Sequence, residues 1–185
     1  MYNRVAVIGG PGSGKTTLSD KLSKLWNIPV THIDGIHHLP NWQIRDKDER
    51  DAMILDIVKN KKWIIDGNYK ATLQKRLEAA DLVIWLDYPT RTMIKGILKR
   101  YLSHPGKEKA EIPGCNEKMD FTFFFYTLNY RKNKRPFPAS LVKQLDPSKV
   151  IIFNKQKDLN KWLRNEEKKY EHNWFSRKIP RRENR

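Results

Sequence analysis

Eight consecutive residues, Gly9-Gly10-Pro11-Gly12-Ser13-Gly14-Lys15-Thr16, carry the spacing G-x-x-x-x-G-K-[ST]. Glycines let the backbone turn tightly and aim several N–H groups into one concavity, an anion nest at the start of a helix. Lys15 brings a positive charge to the β- and γ-phosphates of a nucleotide, and the Thr16 hydroxyl suits Mg²⁺. Thr17 extends the stretch expected to bind the cofactor. The chemistry implied is the holding of ATP with Mg²⁺. That metal usually has a carboxylate nearby, directly or through water. Asp34, Asp66 and Asp87 each end an apolar run that reads as a strand, and ligands gather at the carboxyl ends of parallel strands. Each could equally be a turn former or helix cap, and spacing alone does not choose among them.

Phosphoryl transfer also needs positive charge on the oxygens where negative charge develops. Arg100, Arg131 and Arg135 stand near helix ends where they could supply it, or where they could be solvated cations favoured by the helix dipole. His37-His38 lacks Cys or acidic partners at metal-ligand spacing and reads as a loop. His32 reads as a core or loop histidine. Asn154-Lys155-Gln156-Lys157-Asp158 is one residue too long for the guanine-reading motif Asn-Lys-x-Asp, so Asp158 reads as a helix cap.

These residues need a frame. Arg4–Gly9, 30–34, 63–66, 82–87 and 150–153 are short apolar runs rich in β-branched residues, and each reads as a strand. Between them fall helical patterns: Leu18, Leu22 and Leu25; Met53, Ile54, Ile57 and Val58 behind Asp46 and Glu49 in capping-box spacing; Leu73 and Leu77; a helix from about Thr90 to Ser103; and Leu159, Trp162 and Leu163. Strands alternating with amphipathic helices predict an α/β fold, a parallel sheet with both faces covered. The stretch from about 104 to 138 breaks the rhythm. It holds no apolar strand, then places Phe121, Phe124, Phe125 and Leu128 at helical spacing. It reads as a mobile insertion with one aromatic helix, most of whose aromatics are expected in the core.

With 185 residues the chain fits a single domain, 1–185. Lys and Arg number 37 against 21 Asp and Glu, a net charge of +16, which favours phosphate-bearing partners, small or polymeric. A basic tail, about 176–185, adds Arg177, Lys178, Arg181, Arg182 and Arg185. Cys115 is the one cysteine, so no internal disulfide forms, and no apolar run is long enough to span a membrane. A cytoplasmic location is the economical expectation.

Taken together, Gly9 to Thr17, Thr31-His32-Ile33-Asp34, Trp63-Ile64-Ile65-Asp66-Gly67-Asn68-Tyr69 and Leu86-Asp87-Tyr88-Pro89 resemble the adenylate-kinase-related P-loop proteins. Within these the chain is most similar to the bacterial DNA topology modulation proteins, a likeness to which Gly114-Cys115-Asn116-Glu117 adds. The resemblance implies a three-layer P-loop NTPase fold with sheet order 2-3-1-4-5 and a helical lid over 104–138. It also implies that Asp66 supports Mg²⁺ beside Thr16, and that Asp34 holds the acceptor as in shikimate-kinase-like enzymes. Arg100 takes the place of a lid arginine. Asn68-Tyr69-Lys70 departs from the Phe-Pro-Arg of nucleoside monophosphate kinases and removes their arginine clamp, while Gln74, where those kinases read adenine, reads as a surface residue. The expectation is an ATP- and Mg²⁺-dependent phosphotransferase for a small acceptor, with Lys15, Asp34, Arg100 and Arg131 catalytic and Arg135 on the nucleotide. The other reading is a nucleotide-dependent nucleic-acid-binding protein with little kinase activity.

Overall fold

The computed structural model describes residues 2–103, 108–109, 112–116 and 121–178, with 108, 109, 113, 116 and 171–178 as backbone only. The five apolar runs become strands β1 (Arg4–Gly9), β2 (Val30–His32), β3 (Trp63–Asp66), β4 (Leu82–Leu86) and β5 (Val150–Phe153), all parallel in one sheet of order 2-3-1-4-5. That order is the expected one. Side chains alternate across a strand, so β1 sends Val5 and Val7 to one face and Ala6 and Ile8 to the other. In β4, Leu82, Ile84 and Leu86 join the first face, and Val83 and Trp85 join the second.

Helices cover both faces. On the first lie α1 (Lys15–Trp26) and α8 (Gln156–Lys178), through Leu18, Leu22 and Trp26 and through Leu159 and Leu163. On the second lie α3 (Lys47–Val58), α4 (Lys70–Ala79) and α7 (Pro136–Val142), through Ile54, Leu73, Leu77 and Val142. Above the carboxyl edge of the sheet lie α2 (Ile33–His37), α5 (Thr90–Ser103) and α6 (Phe121–Asn133). Asp46 caps α3, accepting from the N–H groups of Asp48 and Glu49. Glu49 does not complete the reciprocal box but pairs with Arg45.

Several expectations need correction. β2 stops at His32, so Asp34 lies in the first turn of α2 and not at a strand end. The reason is pairing: His32 sits opposite Asp66, where β3 ends, and beyond it β2 has no neighbour. In the insertion, Glu108–Lys109 and Ile112–Asn116 form a two-stranded antiparallel ribbon where no strand was expected. The aromatics of α6 are not mainly core: Phe121 is 72% exposed, Phe125 61% and Leu128 43%. The helix buries Thr127 and Tyr130 instead, a stripe offset from the one the spacing suggested. Met53 is exposed while Ile54 carries the α3 contact. Helix α8 begins at Gln156, so Asp158 lies in its first turn and is not its cap. Of the basic tail, positions 179–185 lie outside the described residues, as do 104–107, 110–111 and 117–120 of the insertion.

Candidate active site

The glycine-rich loop leaves β1 at Gly9 and enters α1 at Lys15. Gly12 (φ 64°) and Gly14 (φ 86°) take left-handed backbone conformations that other residues adopt at a cost. A Cβ on Gly14 would meet open space, so its left-handed backbone is what favours glycine there, whereas Gly12 is pressed by α5. A Cβ on Gly96 of α5 would stand 2.0 Å from the Gly12 carbonyl oxygen, so the two glycines let helix and loop touch. Ser13 is buried and donates to the Gly10 carbonyl at 2.7 Å, holding the loop's curvature. Lys15 Nζ donates to that same carbonyl at 3.0 Å.

Beside the loop opens a cleft of about 1150 Å³ whose walls include Lys15, Asp34 and Arg100. Three residues expected to be catalytic therefore share one cavity. They are also in electrostatic reach of each other. Burial pulls the Lys15 ammonium below its ordinary pKa, Asp34 and Asp66 oppose that pull, and Arg100 adds to it. Asp34 is placed by Ile33, which is fully buried, and by Tyr69, whose hydroxyl donates to the Asp34 carboxylate. Burial and then the Asp34 charge push the Tyr69 hydroxyl far above the usual phenol range, which keeps it a donor.

Asp66 is 4% exposed and lies beside the loop's own strand, Val7 being its partner across the sheet. Its Oδ2 pairs with Nδ1 of His32 at 2.7 Å, and Nε2 of His32 reaches Asp20 on α1 at 3.1 Å. Burial opposes charge on His32, but the hydrogen bonds and charges of Asp66 and Asp20 outweigh it and push its pKa up to about 9. At neutral pH the imidazolium bridges two carboxylates. The turn after Asp66 is braced by the fully buried Arg76, which donates to the carbonyls of Gly67 (2.8 Å) and Tyr69 (3.1 Å). Asn68 exchanges two hydrogen bonds with the Gly9 backbone, at 3.1 and 2.7 Å, and donates to the Tyr130 hydroxyl at 2.9 Å. One side chain thus ties the β3–α4 turn to the phosphate loop and to α6.

Thr16 and Asp66, the residues expected to hold Mg²⁺, do not themselves line the cleft, and no cluster of three or more acidic, histidine or cysteine ligands occurs among the described residues. Thr16 opens α1, and Asp66 keeps Oδ1 clear of hydrogen bonds among the described residues. Mg²⁺ typically takes one or two carboxylates and keeps waters and phosphates for the rest, so a cluster of acidic ligands is not needed. Thr17 is exposed in the first turn of α1.

Asp87 behaves differently. It is gripped by Arg135 through two bonds of 2.7 and 2.6 Å and by Arg131 at 3.1 Å, and Arg131 also donates to the Tyr88 carbonyl at 2.9 Å. The guanidinium of Arg135 lies 5.2 Å over the Trp85 ring. Arg131 and Arg135 were expected over phosphate; here neither lines the cleft, because each is committed to Asp87. The same pairs occupy Asp87 as a candidate metal carboxylate.

Sequence reasoning did not find Arg76, the double bond of Asn68 or the cleft aromatics Trp42, Phe123 and Tyr126. Their only signal was negative: Asn68-Tyr69 replaces another motif. His32 was read as a bland histidine, and its carboxylate partners lie 12 and 34 residues away. Gln74 is exposed and bonded to Glu78, as expected. His37 meets Arg50, and His38 meets the Asp34 carbonyl.

No protein-family model matches the sequence, and no curated protein matches it. Solved structures do. A shikimate kinase from Acinetobacter baumannii in complex with shikimate is 16% identical, with a TM-score of 0.56 and 96% of each chain covered. A shikimate kinase from Bacteroides thetaiotaomicron is 14% identical, with a TM-score of 0.55, over 92% of this chain and 99% of that one. A gluconokinase from Sinorhizobium meliloti 1021 is 13% identical, with a TM-score of 0.54, over 96% and 98%. At such identities the likeness is one of architecture, and the architecture of this chain is the α/β fold of the P-loop kinases.

Proposed function

We propose that the chain is an ATP- and Mg²⁺-dependent phosphotransferase that acts on a hydroxyl of a small acceptor. The observation that carries the reading is the meeting of Lys15, Asp34 and Arg100 in one cleft beside the glycine-rich loop, of which Gly9 and Pro11 also line it. ATP lies with its phosphates on the nest of Gly9, Gly10, Pro11, Gly12, Ser13 and Gly14, and on Lys15, Thr16 and Thr17. Thr16 and Asp66 would hold Mg²⁺, which when bound would supply positive charge to the phosphates. The acceptor oxygen attacks the γ-phosphorus as its proton passes to Asp34. The bond from the γ-phosphorus to the bridging oxygen breaks, and ADP leaves with that electron pair. Lys15, the nest amides and Arg100 stabilise the charge that spreads over the transferring group. Lys15 leaves the Gly10 carbonyl to do so. Arg131 and Arg135 serve this reading by fixing α6 to Asp87.

The region 104–138 acts as a lid in this reading. Its ribbon touches the far side of the cleft: the Trp42 N–H donates to Cys115 Sγ, and Gly114 approaches Pro40 to within what a Cβ would fill at 2.9 Å. We also propose a likeness to the DNA topology modulation proteins, which rests on the motif residues around Asn68 and Cys115 in the sequence. Nothing among the described residues favours the nucleic-acid reading, and no helix of them is long and apolar enough to cross a membrane.

ADP release from Mg·ATP over a panel of alcohols, nucleosides and sugars, with Lys15→Ala beside the wild type, tests the proposal. The expected outcome is an acceptor-dependent signal that Lys15→Ala lowers by about 100-fold or more. An acceptor turned over equally well by both proteins would overturn it.

A further inference from the structure

We propose that the acceptor is a nucleoside, with its base against an aromatic wall and its hydroxyl at Asp34. The proposal rests on the phosphotransferase reading above and narrows it. The cleft exceeds the roughly 300–1,000 Å³ of a pocket for one ligand, so it has room for ATP and an acceptor together. Beyond the loop its walls change character. Trp42, Tyr69, Phe123 and Tyr126 converge there from three separate parts of the chain. Phe123 and Tyr126 both line the cleft from α6 and stack on each other, with ring centroids 6.1 Å apart and planes 17° from parallel. Tyr126 also feels Asp34: burial and then the Asp34 charge raise its pKa. The rings therefore stand within the field of the carboxylate that would take the acceptor's proton.

Charge narrows the choice further. Among the described residues lining the cleft, Lys15 and Arg100 are the arginine and lysine cations, and both belong to the phosphate end. A carboxylate or phosphate on the acceptor would meet no further lysine or arginine among the described lining residues, and burying a charge without a partner is costly. Two further cations are engaged with aromatic rings and do not themselves line the cleft. Lys70 lies 4.8 Å over the Phe137 ring, and Arg50 pairs with Asp51 and lies over the Tyr69 ring. A monophosphate is disfavoured on the same ground. A flat, uncharged ring system bearing a primary hydroxyl fits both the aromatic wall and Asp34, and base-on-aromatic stacking tolerates any base.

The test uses the full chain. Calorimetry measures binding of adenosine, guanosine, cytidine and thymidine in the presence of Mg·ADP, and ADP release from Mg·ATP measures turnover. Shikimate, gluconate, choline, glycerol and nucleoside monophosphates complete the panel. The variants are Tyr126→Leu and Phe123→Leu, at positions that are partly exposed and tolerate truncation. The expected result is saturable nucleoside binding and turnover, with KM raised about 10- to 100-fold in Tyr126→Leu and the affinity for Mg·ADP unchanged. Preference for a carboxylate, phosphate or ammonium acceptor overturns the nucleoside assignment and leaves the phosphotransferase standing. Nucleoside binding without turnover of any acceptor sustains the aromatic site and overturns the phosphotransferase. Absence of nucleoside binding, or binding that Tyr126→Leu and Phe123→Leu leave unmoved, overturns the proposal.

Discussion

Asp66 and Asp87 flank the phosphate loop from opposite sides. β1 runs between β3, which ends at Asp66, and β4, which Asp87 follows, and both carboxylates are nearly buried at 4% and 8% exposure. In sequence they are interchangeable: an apolar run, then an aspartate. In the folded chain they are not. Asp66 shares one oxygen with a histidine that can lose its charge, and Oδ1 stays clear of hydrogen bonds among the described residues. Asp87 is held through both oxygens by two arginines that do not lose theirs. A carboxylate with an oxygen to spare and a titratable partner can trade that partner for a metal. One locked in a bidentate arginine pair serves as an anchor. The partners, supplied by distant segments, decide which aspartate does chemistry.

The largest expected effect separates the two on activity. Asp66→Asn keeps the shape but removes the charge proposed to support Mg²⁺, so turnover falls on the order of 100-fold and the Mg²⁺ requirement rises. Asp87→Asn lowers turnover far less. Steady-state rates over a Mg²⁺ titration measure both, and equal losses would erase the distinction.

The next effect is on stability, in the opposite order. Asp87→Asn leaves two guanidinium groups facing a neutral amide. Removing one partner of a buried pair costs about 3–5 kcal/mol. Arg131 and Arg135 are about a third exposed, so water relieves part of that, and a loss of about 2 kcal/mol is expected. For a chain of this size that is about 4–8 °C in Tm, with α6 losing its hold on the sheet edge. Calorimetry that finds no shift would make the arginines idle in the free protein and return them to the phosphate role the sequence suggested.

What the sequence could say divides along the same line. Local information was legible: the five strands, the loop before Lys15, the Asp46 cap on α3 and the span of α5 follow from runs, caps and motif spacing, while the strand order came from the family resemblance. Asp34 and Arg100, singled out from the sequence, line the same cleft as Lys15. Long-range partnerships were not legible. Nothing near Arg131 or Arg135 announces Asp87, 44 and 48 residues earlier. Asp34 looked like a strand end because the run from Val30 is apolar, yet its conformation depends on where β3 stops. The aromatic helix carried a periodic pattern, but the pattern cannot show that Phe121 and Phe125 face outward while Tyr130 is pinned under Asn68.

The smallest effect sharpens the comparison through pH. His32 carries a folded-state pKa of about 9 against an ordinary value of 6.5, so the folded chain holds its proton more tightly than the unfolded one. The resulting stabilisation is whole below about pH 6.5, shrinks as pH rises, and is gone above about 9. A shift of that size corresponds to about 3 kcal/mol. Asp20 is half exposed and its share is screened, which leaves about 2 kcal/mol. The difference in unfolding free energy between the wild type and His32→Asn should therefore fall by about 2 kcal/mol between pH 6 and pH 9.5 in metal-free buffer. The corresponding difference for Asp87→Asn should stay flat, because arginine does not titrate in that window and the Asp87 hydrogen bonds push Arg135 still higher. A flat His32→Asn difference would mean that the imidazole is neutral between its carboxylates. Asp66 would then need no partner to trade away when a metal arrives.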